Sequence, residues 1–112
     1  MHRPETELLV FRDARGRCPF FDWFRGLEDR VAQARVMQRL DRLQSGNPGD
    51  SRSLGAGLME LRIDAGPGYR VYWSWMHDGR CLVFGGGTKR TQRTDIARAR
   101  RWLQEAGKQQ GR

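Results

Sequence analysis

Four side chains in the second half of the chain could handle a phosphate: Arg62, Arg70, Tyr72 and Lys89. Arg62 lies in LMELRID (58–64), Arg70 and Tyr72 in YRVYWSWMH (69–77), and Lys89 in GGGTKRTQ (85–92). Arg90, Gln92 and Arg93 follow Lys89 closely. Guanidinium and ammonium groups held together stabilise charge developing on phosphate oxygens. A strand alternates its side chains between two faces. Met59, Leu61 and Ile63 then share one face and leave Glu60, Arg62 and Asp64 on the other. In the next run Tyr69, Val71, Trp73 and Trp75 share a face, opposite Arg70, Tyr72, Ser74 and Met76.

GPGY (66–69) fits a type II turn, with Pro at its second position and Gly where φ must be positive. A one-residue slip would place Arg62 among the tryptophans, so two registers remain. Arg62 faces Arg70, or it faces Tyr72 with Asp64 opposite Arg70. Either way Glu60, Arg62, Arg70 and Tyr72 gather on one side of a hairpin. Facing like charges repel, so an external anion or the acidic pair Glu60 and Asp64 must compensate. The alternative is that those carboxylates simply neutralise the arginines on a solvated face.

GGGTKRTQ follows one strand and runs into a helix, where free backbone N–H groups and the helix dipole favour an anion. A plain loop with a helix cap is the competing reading. The spacing is not that of a nucleotide-hydrolysing P-loop.

The elements that must position these groups read as follows. TELLVF (6–11) is a short strand and ARGRC (14–18) a turn. PFFDWFRGL (19–27) opens a helical turn at its proline, and its aromatic residues pack beside the next helix. That helix, 28–46, carries Ala32, Val36, Leu40 and Leu43 on one face, acids at its start and Gly46 at its end. GNPGDSRSLGAG (46–57) reads as a connector. Three strands then form an antiparallel meander, 58–64, 69–77 and 80–84, with HDG (77–79) as the second turn. TQRTDIARARRWLQEA (91–106) is the final helix, with Thr91 as its N-cap, Asp95 in its first turns and an apolar stripe of Ile96, Ala99, Leu103 and Ala106. The tail, 106–112, reads as frayed.

The 112 residues suit one α+β domain with a modest core. The 21 cations against 13 acids leave a formal net charge of +8, and all the cations but Lys89 and Lys108 are arginine. That balance fits a polyanionic partner. Cys18 and Cys81 form no disulfide framework or zinc spacing and read as small buried residues. His2 and His77 stand apart, so the chain offers no metal cluster, and no cofactor is expected. No apolar run spans a membrane and no leader opens the chain, which points to the cytoplasm.

RLDRLQSGNPGD, ELRIDAGPGYRVYW and GGGTKRTQRTDIARA, in this order and spacing, resemble the RelE/ParE-superfamily toxins of bacterial type II toxin–antitoxin modules. The nearest branch is the HigB-like addiction module killer protein group, and the resemblance covers roughly residues 20–106. It implies a compact α+β fold: an N-terminal strand, two helices, an antiparallel sheet meander and a C-terminal helix. It also implies an antitoxin partner, usually a helix-turn-helix protein encoded beside the toxin. RelE-like members cut mRNA on the ribosome without metal, whereas ParE-like members poison DNA gyrase. The family's basic positions map to Arg62, Arg70 and Lys89, with Tyr72 and Gln92 in the same motifs. The implied activity is an mRNA interferase in which those cations stabilise the phosphorane. Arg90, Gln92 and Arg93 would bind RNA. Glu60, Tyr72 or Lys89 could supply the base. A gyrase inhibitor, or a basic nucleic-acid or antitoxin-binding module without activity, are the rival expectations.

Overall fold

The computed structural model describes residues 5–110. Its elements are β1 (Leu8–Val10), α1 (Pro19–Arg25), α2 (Arg30–Gln44), β2 (Ser51–Gly55), β3 (Leu58–Ile63), β4 (Tyr69–Trp75), β5 (Cys81–Thr88) and α3 (Gln92–Gln110). The strands form one sheet in the order β1-β5-β4-β3-β2. β2 to β5 are an antiparallel meander, and β1 joins the edge of β5 in parallel. The architecture is the α+β arrangement expected from the sequence, with the sheet mixed rather than purely antiparallel.

Helices cover both faces of the sheet. α2 begins at Asp29, whose carboxylate accepts from the backbone N–H of Val31 and Ala32 and satisfies donors that the helix leaves open. Its face of Ala32, Val36, Leu40 and Leu43 packs with Phe20 of α1 against Leu61, Ile63, Val71, Trp73 and Val83. On the other face α3 lays Ala99 and Ala106, flanked by Ile96, Trp102 and Leu103, over Leu58, Tyr72, Leu82 and Phe84. Phe21 is an exception among the aromatics of α1, since it is exposed. Cys18 is only half-buried while Cys81 is fully buried, and neither forms a disulfide.

Three stretches differ from the sequence reading. SRSLG, expected as connector, is strand β2. Two arginines clasp its ends through backbone carbonyls, one just before the strand and one at its close. Arg39 of α2 donates to the carbonyls of Pro48 and Asp50 (3.1 Å each), and Arg100 of α3 donates to those of Leu54 and Gly55 (2.6 and 3.1 Å). The last strand also runs on through GGGT, so the glycines are sheet and not a loop. A Cβ at Gly85 would stand 3.0 Å from the Trp102 ring, and one at Gly86 would stand 2.5 Å from that of Trp23. Strand propensity is set aside here because two tryptophans need the space. Finally α3 continues to Gln110, four residues past the expected end, and residues 111–112 of the expected tail lie outside the described residues.

The β3–β4 register is the first of the two expected, with Arg62 opposite Arg70 and Glu60 opposite Tyr72. The turn closes one residue earlier than GPGY implies, since the Gly68 N–H donates to the Ala65 carbonyl at 2.9 Å. Gly66 and Gly68 sit at φ +49 and +82, where a Cβ is disfavoured.

Candidate functional site

Two rows of residues cross the sheet on the face under α3. One runs Arg52, Glu60, Tyr72, Gly85 from β2 to β5, and the next holds Arg62, Arg70 and Gly87. The glycines at the β5 end let the start of α3 come close. A Cβ at Gly87 would fall within 1.8 Å of the Asp95 carboxylate.

Glu60 is the hub. It is fully buried, and a buried carboxylate is tolerable only when donors surround it. Arg52 Nε donates to one oxygen at 2.8 Å and Gln92 Nε2 to the other at 2.7 Å. The Arg70 guanidinium lies 3.7 Å from the first oxygen. Strand alternation had placed Glu60 and Tyr72 on an outward face, but α3 covers that face. The β3–β4 register sets Glu60 opposite the Tyr72 phenol, and β2, hidden by its loop-like composition, sets Arg52 on its other side.

Arg70 and Tyr72 each carry a buried donor with no hydrogen-bond partner, Arg70 Nε and the Tyr72 hydroxyl. The Arg70 side chain is only 13% exposed, so its guanidinium is held against the sheet rather than waving in solvent. Burial, and then the negative charges of Glu60 and Asp95, push the Tyr72 hydroxyl far above the ordinary tyrosine range. The Tyr72 hydroxyl is therefore held in its protonated form at neutral pH.

The other expected residues are placed around this pair. Lys89 and Arg90 form the exposed turn before α3, and the Lys89 N–H donates to the Gly68 carbonyl at 2.9 Å, tying that turn to the β3–β4 hairpin. Gln92 is the first residue of α3, and Arg93 beside it is exposed. Arg62 is not drawn into the cluster. It is turned outward to Asp50, to which its Nε and Nη2 donate at 3.1 and 2.8 Å. Thr91 stands just before α3, and its hydroxyl donates to Asp95. Arg52 and Asp95 belong to the site by position, and only contact across the sheet reveals them. Among the described residues no three His, Cys, Asp or Glu side chains come together as a metal site. No helix among them is long and apolar enough to cross a membrane.

A mixed five-stranded sheet with one helix laid over a polar, arginine-bearing half-face defines a small α+β protein built to present charge. Residues 22–104 match the family described as "Phage derived protein Gp49-like (DUF891)", and the chain belongs to that family of toxin-like addiction-module proteins. Such membership implies a cognate antitoxin as partner. The chain is also 42% identical over 88 residues to an uncharacterized protein of Haemophilus influenzae (strain Rd), covering 79% of this chain and 89% of that protein.

Proposed function

We propose that the chain is the toxin of a type II toxin–antitoxin module of the RelE/ParE kind, close to the HigB-like group, and that it cleaves ribosome-associated mRNA in the cytoplasm. The observation that carries this reading is the pair of buried, unpartnered donors on Arg70 and Tyr72, beside the exposed cations Lys89, Arg90 and Arg93. An unmade buried hydrogen bond is costly, and a phosphate oxygen would complete both.

The chemistry follows from these groups. The ribose 2′-oxygen attacks its own 3′ phosphate, forming one P–O bond as the bond to the 5′-oxygen of the next nucleotide breaks. Arg70 and Lys89 stabilise the dianionic phosphorane, Tyr72 donates to a phosphate oxygen, and Arg62 contributes once phosphate displaces Asp50. Arg90, Gln92 and Arg93 hold the flanking RNA backbone. The 2′ proton leaves to a base and the departing 5′-oxygen is protonated, giving a 2′,3′-cyclic phosphate and a 5′-OH. The ribosome's alignment of the mRNA supplies much of the rate through orientation.

A second reading is favoured by one observation. Both oxygens of Glu60 are engaged and Tyr72 is held protonated, so neither is free to act as a base. A gyrase inhibitor needs none. Incubating the protein with translating ribosomes, and separately with gyrase and supercoiled DNA, decides between them. Fragments ending in 5′-OH support the interferase. Ends carrying 5′-phosphate contradict its mechanism, and gyrase poisoning without RNA cleavage establishes the rival.

A further inference from the structure

The polar half-face holds donors for a phosphate, and β5 shows where an acceptor for a proton enters it. Arg70 faces Gly87 across the β4–β5 ladder. Opposed residues on one face of a sheet bring their Cβ atoms within about 4.5–5.5 Å. At Gly87 the strand gives up its side chain, and the Asp95 carboxylate of α3 takes the space, 1.8 Å from where a Cβ would stand. The second row thus reads Arg62, Arg70 and, lent by the helix, Asp95.

Only one oxygen of Asp95 is engaged. Its Oδ2 accepts from the Thr91 hydroxyl, while Oδ1 accepts no hydrogen bond from the described residues. Glu60, by contrast, spends both oxygens on Arg52 and Gln92. The Arg70 guanidinium lies 3.7 Å from Glu60 and makes no ion pair with Asp95 among the described residues. A guanidinium and a carboxylate therefore face the same ground without closing on each other. Tyr72, buried with its hydroxyl unpartnered, lines the same cleft as Gly87 and Asp95. That cleft holds about 650 Å³, within the usual range of small-ligand sites. Burial and Glu60 push the phenol upward most, and the Asp95 charge adds to them, so the carboxylate stands within electrostatic reach of the phenol.

An acid in the first turn of α3 also suits the helix dipole. That role needs no contact with the sheet. It does not explain why the strand carries glycine opposite Arg70, which is what lets the carboxylate into the row.

We infer that Asp95 is the general base of the cleavage, an assignment that rests on the interferase reading and supplies the base it needs. Oδ1 takes the proton of the ribose 2′-hydroxyl as the 2′-oxygen bonds to phosphorus. The bond from phosphorus to the 5′-oxygen breaks, its electron pair leaves with that oxygen, and water protonates it to a 5′-OH. The hydroxide left behind removes the proton from Asp95 and restores the carboxylate.

Asp95→Asn keeps an oxygen for the Thr91 hydroxyl and the shape of the side chain, and removes the proton acceptor. The variant should unfold in urea as the wild type does. It should co-sediment with mRNA-programmed ribosomes at least as well, because a negative charge beside the phosphate is gone. Cleavage of that mRNA should be slower by about 10²-fold or more, the usual contribution of a general base. A smaller loss overturns the inference and leaves the interferase reading standing. Ribosome binding lost in parallel with cleavage overturns it too, and makes Asp95 a structural residue. Should Asp95→Asn fail to fold, Asp95→Glu and Asp95→Gln repeat the comparison at matched length. The Glu chain should then cut about tenfold faster or more than the Gln chain, and equal rates overturn the assignment. A wild-type chain that cuts no ribosome-bound mRNA fails the interferase reading itself, and the base falls with it.

Discussion

Alternate residues of the same two strands face α1 and α2 on one side of the sheet and α3 on the other. On the first side β3 and β4 supply Leu61, Ile63, Val71 and Trp73, buried among apolar neighbours. On the second they supply Glu60, Arg62, Arg70 and Tyr72, and the polar set is covered only in part. The first face accounts for folding through apolar area removed from water. The second holds a buried carboxylate, a guanidinium with an unmade bond and a phenol with an unmade bond, an arrangement that lowers stability and that proteins keep where it serves another end. Stability and function are thus divided by the pleat itself, one residue apart along each strand.

The largest effect should come from the apolar face. Trp73→Ala removes a fully buried ring and should destabilise by about 3–5 kcal/mol in urea unfolding, with activity lost through unfolding. Next is the hub of the polar face. Glu60→Ala leaves Arg52, Arg70 and Gln92 around a vacated carboxylate, and should cost about 3 kcal/mol, with the start of α3 loosened in hydrogen exchange. A Glu60→Ala protein as stable as wild type would mean that the hub does not hold the two rows together.

Tyr72→Phe should be nearly neutral for stability at pH 7, within about 1 kcal/mol, because the hydroxyl it removes has no partner to lose. The pH dependence carries more information. The folded state holds the hydroxyl protonated above its ordinary value of 10.0, so its contribution is full below pH 10 and falls as pH rises further. Unfolding curves above pH 10 should therefore decline more steeply for wild type than for Tyr72→Phe, and equal slopes would contradict the burial of the phenol. The smallest effect is at Asp50. Its pair with Arg62 is about half exposed on both sides, so Asp50→Ala should change stability by about 0–1 kcal/mol and leave Arg62 free for an anion.

The helices and the three-stranded meander are legible in the sequence because each rests on local periodicity: four apolar positions one helical face apart in α2, and alternation in β3 and β4. Alternation narrows the hairpin to two registers, of which the structure takes the first. What is not legible depends on distant residues. SRSLG has the composition of a loop and becomes a strand by pairing with β3, with Arg39 of α2 holding the carbonyls just before it and Arg100 of α3 those at its end. GGGT becomes strand because Trp23 and Trp102 press on either side of it. The polar half-face was visible as a pattern, yet its burial was not, since alternation says which residues share a face and not whether a helix lies over it. Arg62 shows the same limit. Spacing left it opposite either Arg70 or Tyr72, and its pairing with Asp50, just before β2, lies in a stretch that composition concealed.

The central claim is that the polar half-face acts on a phosphate, and Arg70→Ala tests it most directly. The arginine packs against Glu60 at 3.7 Å, while Arg52 and Gln92 hold that carboxylate at shorter distances, so the fold should survive its removal with a modest loss of stability. Growth arrest on expression, measured beside the unfolding transition of the purified variant, should be abolished in a protein that remains folded. A folded Arg70→Ala chain that arrests growth as strongly as wild type would contradict the claim and move the site elsewhere on the molecule.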